Sequence, residues 1–226
     1  EYLKMGAMVV SKRPELEAIA EKLHQRGYSN LFLTGVGGTT AEFTSMKKVV
    51  ENHSSIPVYC VNAAELMLEG HKQLIRNSIV ITGSKSGDTK ETVAVVKWCK
   101  ERGIETVAIT KAETPLAEIA DHVCLIDSSG VENTYLSFYY ILLKLAELRG
   151  EFPDYAQFAS EMEHVHEGLV QVKEKFEPVA AKIAKQYHKE EYQMWVGSGT
   201  VWGDVYMFTM CILEEMQWKR TKAVSS

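Results

Sequence analysis

Three hydroxyls and two glycines crowd into Gly83-Ser84-Lys85-Ser86-Gly87-Asp88-Thr89. Ahead of them runs Ser78-Ile79-Val80-Ile81, apolar and β-branched in the manner of a buried parallel strand. Behind them, from Asp88 to about Arg102, Val93, Val95, Val96 and Trp98 lie among Lys90, Glu91, Lys97 and Lys100, as on a helix packed against a sheet. The turn between offers the hydroxyls of Ser84, Ser86 and Thr89 beside the free amides of a helix N-terminus. Those amides carry partial positive charge, and hydroxyls can donate without repelling an anion, so the turn suits a phosphate monoester. Gly87 lets backbone approach a ligand closely or adopt positive φ. The competing reading is a plain N-cap, for which one hydroxyl would suffice. The order G-x-x-x-x-G-K-[ST] of a Walker loop is absent.

A second group able to do chemistry is Glu215. It lies among Met210, Ile212, Leu213, Met216 and Trp218, surroundings expected to desolvate a carboxyl and raise its pKa. Such a group can abstract and return a proton beside a carbonyl. On residue pattern alone, a solvated helix position is the simpler account of Glu214 and Glu215. The histidines offer less. His164 and His166 diverge on a helix and cannot share a metal, and His24, His53, His71, His122 and His188 stand singly, as surface or structural residues do. No metal-ligand cluster is visible. Lys111, after the fourth strand, reads as an exposed loop lysine that could lend charge to a pocket. The Met and aromatic residues from Trp195 to Trp218 read as core or subunit interface. No G-x-G-x-x-G follows the first strand, so no nicotinamide site is expected.

The chain of 226 residues is 46% apolar and 24% charged, ordinary proportions for a globular protein with one large or two small domains. A net charge of −5 argues against nucleic acid or an anionic membrane as partner. An anionic substrate would then be held by local dipoles and a few cations. Cys60, Cys99, Cys124 and Cys211 lie far apart, mostly in apolar runs, and read as small core residues of a cytoplasmic protein. No apolar run approaches a membrane span.

The elements that must position these groups alternate strictly. An amphipathic helix over 15–25 precedes a strand at Leu31-Phe32-Leu33, which runs into Gly35-Val36-Gly37-Gly38-Thr39-Thr40 and a helix to about Glu51. Strands follow at Pro57–Val61, Ser78–Ile81, Glu105–Thr110 and His122–Ile126, with helices between, and a long apolar helix covers about 133–149. Alternation of this kind predicts an α/β domain: a parallel sheet covered by helices on both faces. Five strands fit the flavodoxin-like order 2-1-3-4-5, whose ligand crevice opens at the carboxyl ends of the first and third strands. The loops after those two strands, Gly35–Thr40 and Gly83–Thr89, are the turns richest in glycine and hydroxyls. Residues 15–150 thus form a first domain and 151–190 a helical linker, divided near Pro178. From 191 to 226 a strand, Gly197-Ser198-Gly199 and a helix over 204–218 repeat the opening unit, as the start of a second, duplicated domain. A chain opening at Glu1 and stopping soon after a helix that calls for a further strand is expected to be a piece of a longer polypeptide.

Gly35-Val36-Gly37-Gly38-Thr39, Ser84-Lys85-Ser86-Gly87-Asp88-Thr89 and Cys211-Ile212-Leu213-Glu214-Glu215-Met216-Gln217-Trp218 together resemble the SIS (sugar isomerase) family of phosphosugar-binding proteins, over about 16–226. The last segment is most similar to bacterial fructosamine-6-phosphate deglycases, which split a phosphorylated Amadori compound into glucose 6-phosphate and an amine or amino acid. The resemblance implies that Ser84, Ser86 and Thr89 hold the phosphate. It places Lys85, where glucosamine-6-phosphate synthase carries glutamine, beside the sugar, with Gly38 and Thr39 on the far side and Val131 and Glu132 as another wall. Glu215 falls where the family keeps its acid/base, and a histidine of a Glu-x-x-His-Gly segment is expected beyond Ser226. A cofactor-free enzyme follows, a homodimer or higher homo-oligomer. Two alternatives remain: an aldose–ketose phosphosugar isomerase, and a non-catalytic sugar-phosphate sensor using the same pocket.

Overall fold

The computed structural model describes residues 1–226. Its elements in chain order are α1 (Tyr2–Ser11), α2 (Arg13–Arg26), β1 (Asn30–Gly35), α3 (Gly38–His53), β2 (Val58–Asn62), α4 (Ala63–Glu69), β3 (Ser78–Ser84), α5 (Lys90–Glu101), β4 (Glu105–Thr110), α6 (Pro115–Ile119), β5 (His122–Leu125) and α7 (Val131–Leu148). After them come α8 (Tyr155–Met162), α9 (Val165–Tyr187), β6 (Gln193–Gly197), a 3₁₀ turn (Gly199–Val201), α10 (Trp202–Met207), a π-helix (Phe208–Met216) and β7 (Thr221–Ser225).

The first five strands make one parallel sheet in the order β2-β1-β3-β4-β5, the order expected from strict strand–helix alternation. Side chains point alternately to the two faces of a strand, and the core divides accordingly. Leu31, Leu33, Ile79, Ile81, Val107 and Ile109 face a large cluster shared with α1, α2, α3, α7 and α8. Phe32, Val80 and Ala108 face a smaller one with α4, α5 and α6. Both faces are dry, which is why these strands read as unbroken apolar runs. β1 and β3 pair directly, Leu33 opposite Ile81, and their carboxyl ends release the two glycine- and hydroxyl-rich loops side by side.

Four expectations need correcting. α1 is a helix where none was read; Val9 joins the core, and Gly6 packs so close to His166 that a Cβ there would meet its ring at 2.3 Å. α9 runs through Pro178 instead of dividing. The proline deprives one carbonyl of its intrahelical donor, and α9 is exposed almost throughout its second half, so water can take that place. The helix after Gly199 is not one regular helix, for from Phe208 to Met216 it winds as a π-helix. The strand thought to be wanting after it is present as β7, parallel to β6 with Gly197 opposite Ser225.

α10 lies directly on α3. A Cβ on Gly203 would stand 2.2 Å from the Ala41 carbonyl oxygen and 2.5 Å from Ser45 Oγ. Neither backbone can yield without separating the helices, so Gly203→Ala is expected to destabilise the protein by about 2–4 kcal/mol, at the upper end for overpacking. Chemical denaturation of the variant would test this; a midpoint equal to that of the parent would show that the two helices are not pressed together as described.

Candidate functional site

The turn after β3 is built around Ser84. This side chain is buried at 8% exposure, and its Oγ lies 2.8 Å from Thr89 Oγ1, 3.3 Å from Ser86 Oγ, and 3.0 Å from the Gly87 N–H that donates to it. Three hydroxyls therefore converge at one point. Thr89 occupies the N-cap position of α5, yet its side chain caps nothing. No protein acceptor takes the amides of Lys90, Glu91 or Thr92, so the helix presents its N-terminal donors unpaired beside the hydroxyls. No side chain caps α5, and unpaired helix amides beside hydroxyls form a donor set suited to an oxyanion. Gly87 is needed on two counts: φ is +73°, and a Cβ would stand 2.4 Å from Thr114. Its carbonyl accepts from Leu116 N–H at 3.0 Å, tying the turn to α6.

The turn opens onto a cleft with two adjoining lobes that share Val36, Thr39, Gly83, Ser84 and Lys85. The first lobe, about 470 Å³, adds Ser86, Thr89, Lys111 and Asp127. The second, about 320 Å³, runs past Gly38 and Glu42 to Ser128, Val131 and Thr134 at the start of α7. Of the residues expected to border a sugar, Gly38, Thr39, Lys85 and Val131 line this second lobe. Glu132 does not. Its carboxyl is drawn instead to Lys173 Nζ at 3.1 Å, and Tyr2 and Lys173 hold its pKa below the usual range against the opposing effect of burial. Lys111, read as an exposed loop lysine, belongs to the first lobe, where it and Lys85 oppose one carboxylate, Asp127. Thr134 lines the second lobe together with Asn133 and Ser137. Three polar residues at the opening of an otherwise apolar helix were the available signal.

Glu215 stands elsewhere from expectation in one respect. It is exposed, as are Met216 and Trp218, so the desolvation expected of it is absent, and it does not line either lobe. It is nevertheless near the cleft. On the π-helix it lies one turn from Cys211, whose Sγ would be 3.6 Å from a Cβ on Gly38. Burial first, then the charges of Glu215 and Glu42, push the Cys211 thiol up.

The desolvated carboxyl is Glu42. It is 8% exposed and lines the second lobe. Burial, then the charge of Asp204, push its pKa from 4.5 to about 8. Asp204, on α10, takes the available donors: Tyr135 Oη gives to Oδ1 at 2.5 Å and Ser45 Oγ to Oδ2 at 3.3 Å. Folded protein therefore keeps the Glu42 proton in a range where unfolded chain has lost it. The stabilisation this gives is complete below about pH 4.5 and is lost as pH rises to about 8. At ~1.4 kcal/mol per unit the whole effect is on the order of 5 kcal/mol. Glu42→Gln is expected to abolish that dependence, so its melting temperature should gain on the parent's steadily between pH 5 and pH 8.5. A constant difference across that range would mean that Glu42 is not buried as found.

Comparison with known proteins agrees with this fold. The SIS domain model matches residues 22–146. Fructosamine deglycase FrlB of Bacillus subtilis is 29% identical over 219 residues, 93% of this chain and 66% of that protein. A glutamine–fructose-6-phosphate aminotransferase (isomerizing) of Pyrococcus horikoshii is 31% identical over 144 residues, 61% of this chain and 24% of that protein. Among solved structures, a candidate phosphosugar isomerase from Bacillus subtilis superposes with a TM-score of 0.88 at 26% identity, over 96% of this chain and 69% of the other. Another from Salmonella typhimurium, at 22% identity and TM-score 0.86, covers 94% of this chain and 67% of that one, and speaks for the fold alone. The chain thus spans slightly less than two thirds of the length of the deglycase.

Proposed function

The chain belongs to the SIS domain family, and from that premise we propose that it serves a sugar-phosphate deglycase, cleaving a 6-phosphorylated Amadori compound to glucose 6-phosphate and an amine or amino acid. The observation that carries this reading is the convergence of Ser84, Ser86 and Thr89 on the unpaired amides of α5 at the mouth of a two-lobed cleft. The phosphate sits in the lobe with Lys85 and Lys111, and the sugar runs past Thr39 into the other. That lobe has the size and the mixed polar lining of a small-ligand site. The reaction moves a proton from C1 of the ketoamine to C2 and the amine N–H proton to the C2 oxygen, leaving an imine at C1; water adds to that imine and expels the amine, freeing the C1 aldehyde of glucose 6-phosphate. Glu215, a turn from Cys211 at the Gly38 end of the cleft, is the group proposed to carry that proton. Likeness to FrlB over 93% of this chain favours the deglycase over an aldose–ketose isomerase. In this proposal residues 15–150 form the binding domain, 151–190 the helical linker, and 191–226 open a second domain of the same kind.

A second reading, a sugar-phosphate sensor without turnover, is favoured by one observation: Glu215 lies outside the cavity lining. The test is to incubate the protein with 6-phosphorylated Amadori adducts of several amines and assay released glucose 6-phosphate. Release supports the deglycase. Binding without release of product supports the sensor, and absence of binding refutes both.

A further inference from the structure

We propose that the Glu42 carboxyl donates a hydrogen bond to an oxygen of the sugar at the end of the cleft away from the phosphate, and so helps to select the ligand. The inference rests on the sugar-phosphate reading above and adds a contact to it.

Three observations converge on Glu42. First, it belongs to one lobe only: it lines the one that runs toward α7 and is absent from the one that holds Ser86, Thr89 and Lys111. A phosphate at the hydroxyl turn leaves Glu42 facing the carbon chain of the ligand, not its charge. Second, Glu42 is a polar side chain more than nine-tenths buried that makes no hydrogen bond to the protein. Nearby donors are spent on Asp204, through Tyr135 and Ser45. Its carboxyl oxygens are not among the fully enclosed side-chain atoms, so they open to the lobe, where a ligand hydroxyl or carbonyl can pair with them. Third, the charges around it keep it a donor. Asp204 faces it from α10, Cys211 from the π-helix with Glu215 a turn beyond, and Tyr135 from α7. Lys85 is the one cation that lines this lobe. In such company the carboxyl retains its proton to about pH 8. A neutral carboxyl can give a hydrogen bond, whereas the ionised form can only accept one. Once Glu42 ionises, therefore, the sugar should lose its donor while the phosphate turn is untouched.

Calorimetric titration with two probes tests this, glucose 6-phosphate for the whole cleft and inorganic phosphate for the hydroxyl turn alone. Each is run from pH 7 to pH 9.5 on the parent, on Glu42→Gln and on Glu42→Leu, so that ionisation of the probe itself cancels between proteins. The amide of Gln still donates but does not titrate, and Leu cannot donate. In the parent, the dissociation constant for glucose 6-phosphate is expected to rise about tenfold across this range relative to that for phosphate. Glu42→Gln should remove that rise, and Glu42→Leu should bind the sugar phosphate about tenfold more weakly than Glu42→Gln at every pH, matching the parent only at the alkaline end. Phosphate should bind all three proteins alike. If phosphate binds while Glu42→Gln keeps the parent's pH dependence, or if the sugar adds nothing to the affinity of phosphate, Glu42 has no such role. Failure of the parent to bind either probe would instead remove the sugar-phosphate reading itself.

Discussion

Ser86→Asp is expected to weaken glucose 6-phosphate binding by a hundredfold or more while leaving thermal stability unchanged or slightly raised. Ser86 is exposed, and its hydroxyl stands 3.3 Å from Ser84 Oγ in the cluster beside the α5 N-terminus. A carboxylate there would favour the helix itself, because negative charge near the N-terminus complements the dipole. Stability and binding should therefore move apart. For the ligand, two unit charges ~5 Å apart at an effective dielectric of ~20 repel by about 3 kcal/mol. A phosphate dianion doubles that, and solvent on the open side of the turn takes back about half. What remains is about 3 kcal/mol, and each 1.4 kcal/mol is roughly tenfold in affinity. Loss of one neutral donor, as in Ser86→Ala, is worth only about 1 kcal/mol. The pair of variants thus separates charge repulsion from loss of a contact. Calorimetry and a melting curve on each would check it. Binding by Ser86→Asp within threefold of the parent would show that the anion is not held at this turn.

The sheet and the hydroxyl turn were legible in the sequence for the same reason: both are local. Ile79 to Ile81 are apolar on both faces because helices cover both faces, and a run of that kind needs no knowledge of distant residues. Ser84, Ser86 and Thr89 lie within one turn, and the β1–β3 pairing that sets them beside the Gly37 loop follows from strand order. The second lobe was not legible, because it is assembled from parts far apart in the chain. Glu42 looks like any helix carboxylate until α10, more than 150 residues on, buries it and brings Asp204 beside it. Glu132 looked like a wall of the pocket until Lys173 and Tyr2 engaged it from α9 and α1. Glu215 is a different case. Its apolar neighbours allowed burial, but pattern alone favoured a solvated helix position, and the π-helix leaves Glu215 exposed together with Met216 and Trp218. The desolvated carboxyl at this site is Glu42.

Glu215→Gln is expected to reduce turnover of a 6-phosphorylated Amadori compound by a thousandfold or more, with sugar-phosphate affinity within about threefold of the parent. Proton transfer by a positioned side chain contributes ~10²–10⁴ in rate, and an amide of the same shape cannot abstract a proton. Affinity should survive because the hydroxyl turn and both lobes are built without Glu215. Stability should change by less than about 0.5 kcal/mol, as for most exposed positions. Its neighbour supplies the control. Glu214 accepts a hydrogen bond from Thr221 Oγ1 at 2.6 Å, so it ties the π-helix to β7 and is not available at the cleft. Glu214→Gln should therefore lower stability a little and leave turnover near that of the parent. Cys211 gives a second check. Its thiol pKa is raised partly by Glu215, so Glu215→Gln should speed alkylation of Cys211 at a fixed alkaline pH, with no substrate present. Unchanged turnover in Glu215→Gln, with the Cys211 effect seen, would mean that Glu215 is placed as described yet carries no proton, and the buried carboxyl of Glu42 would become the acid to examine next.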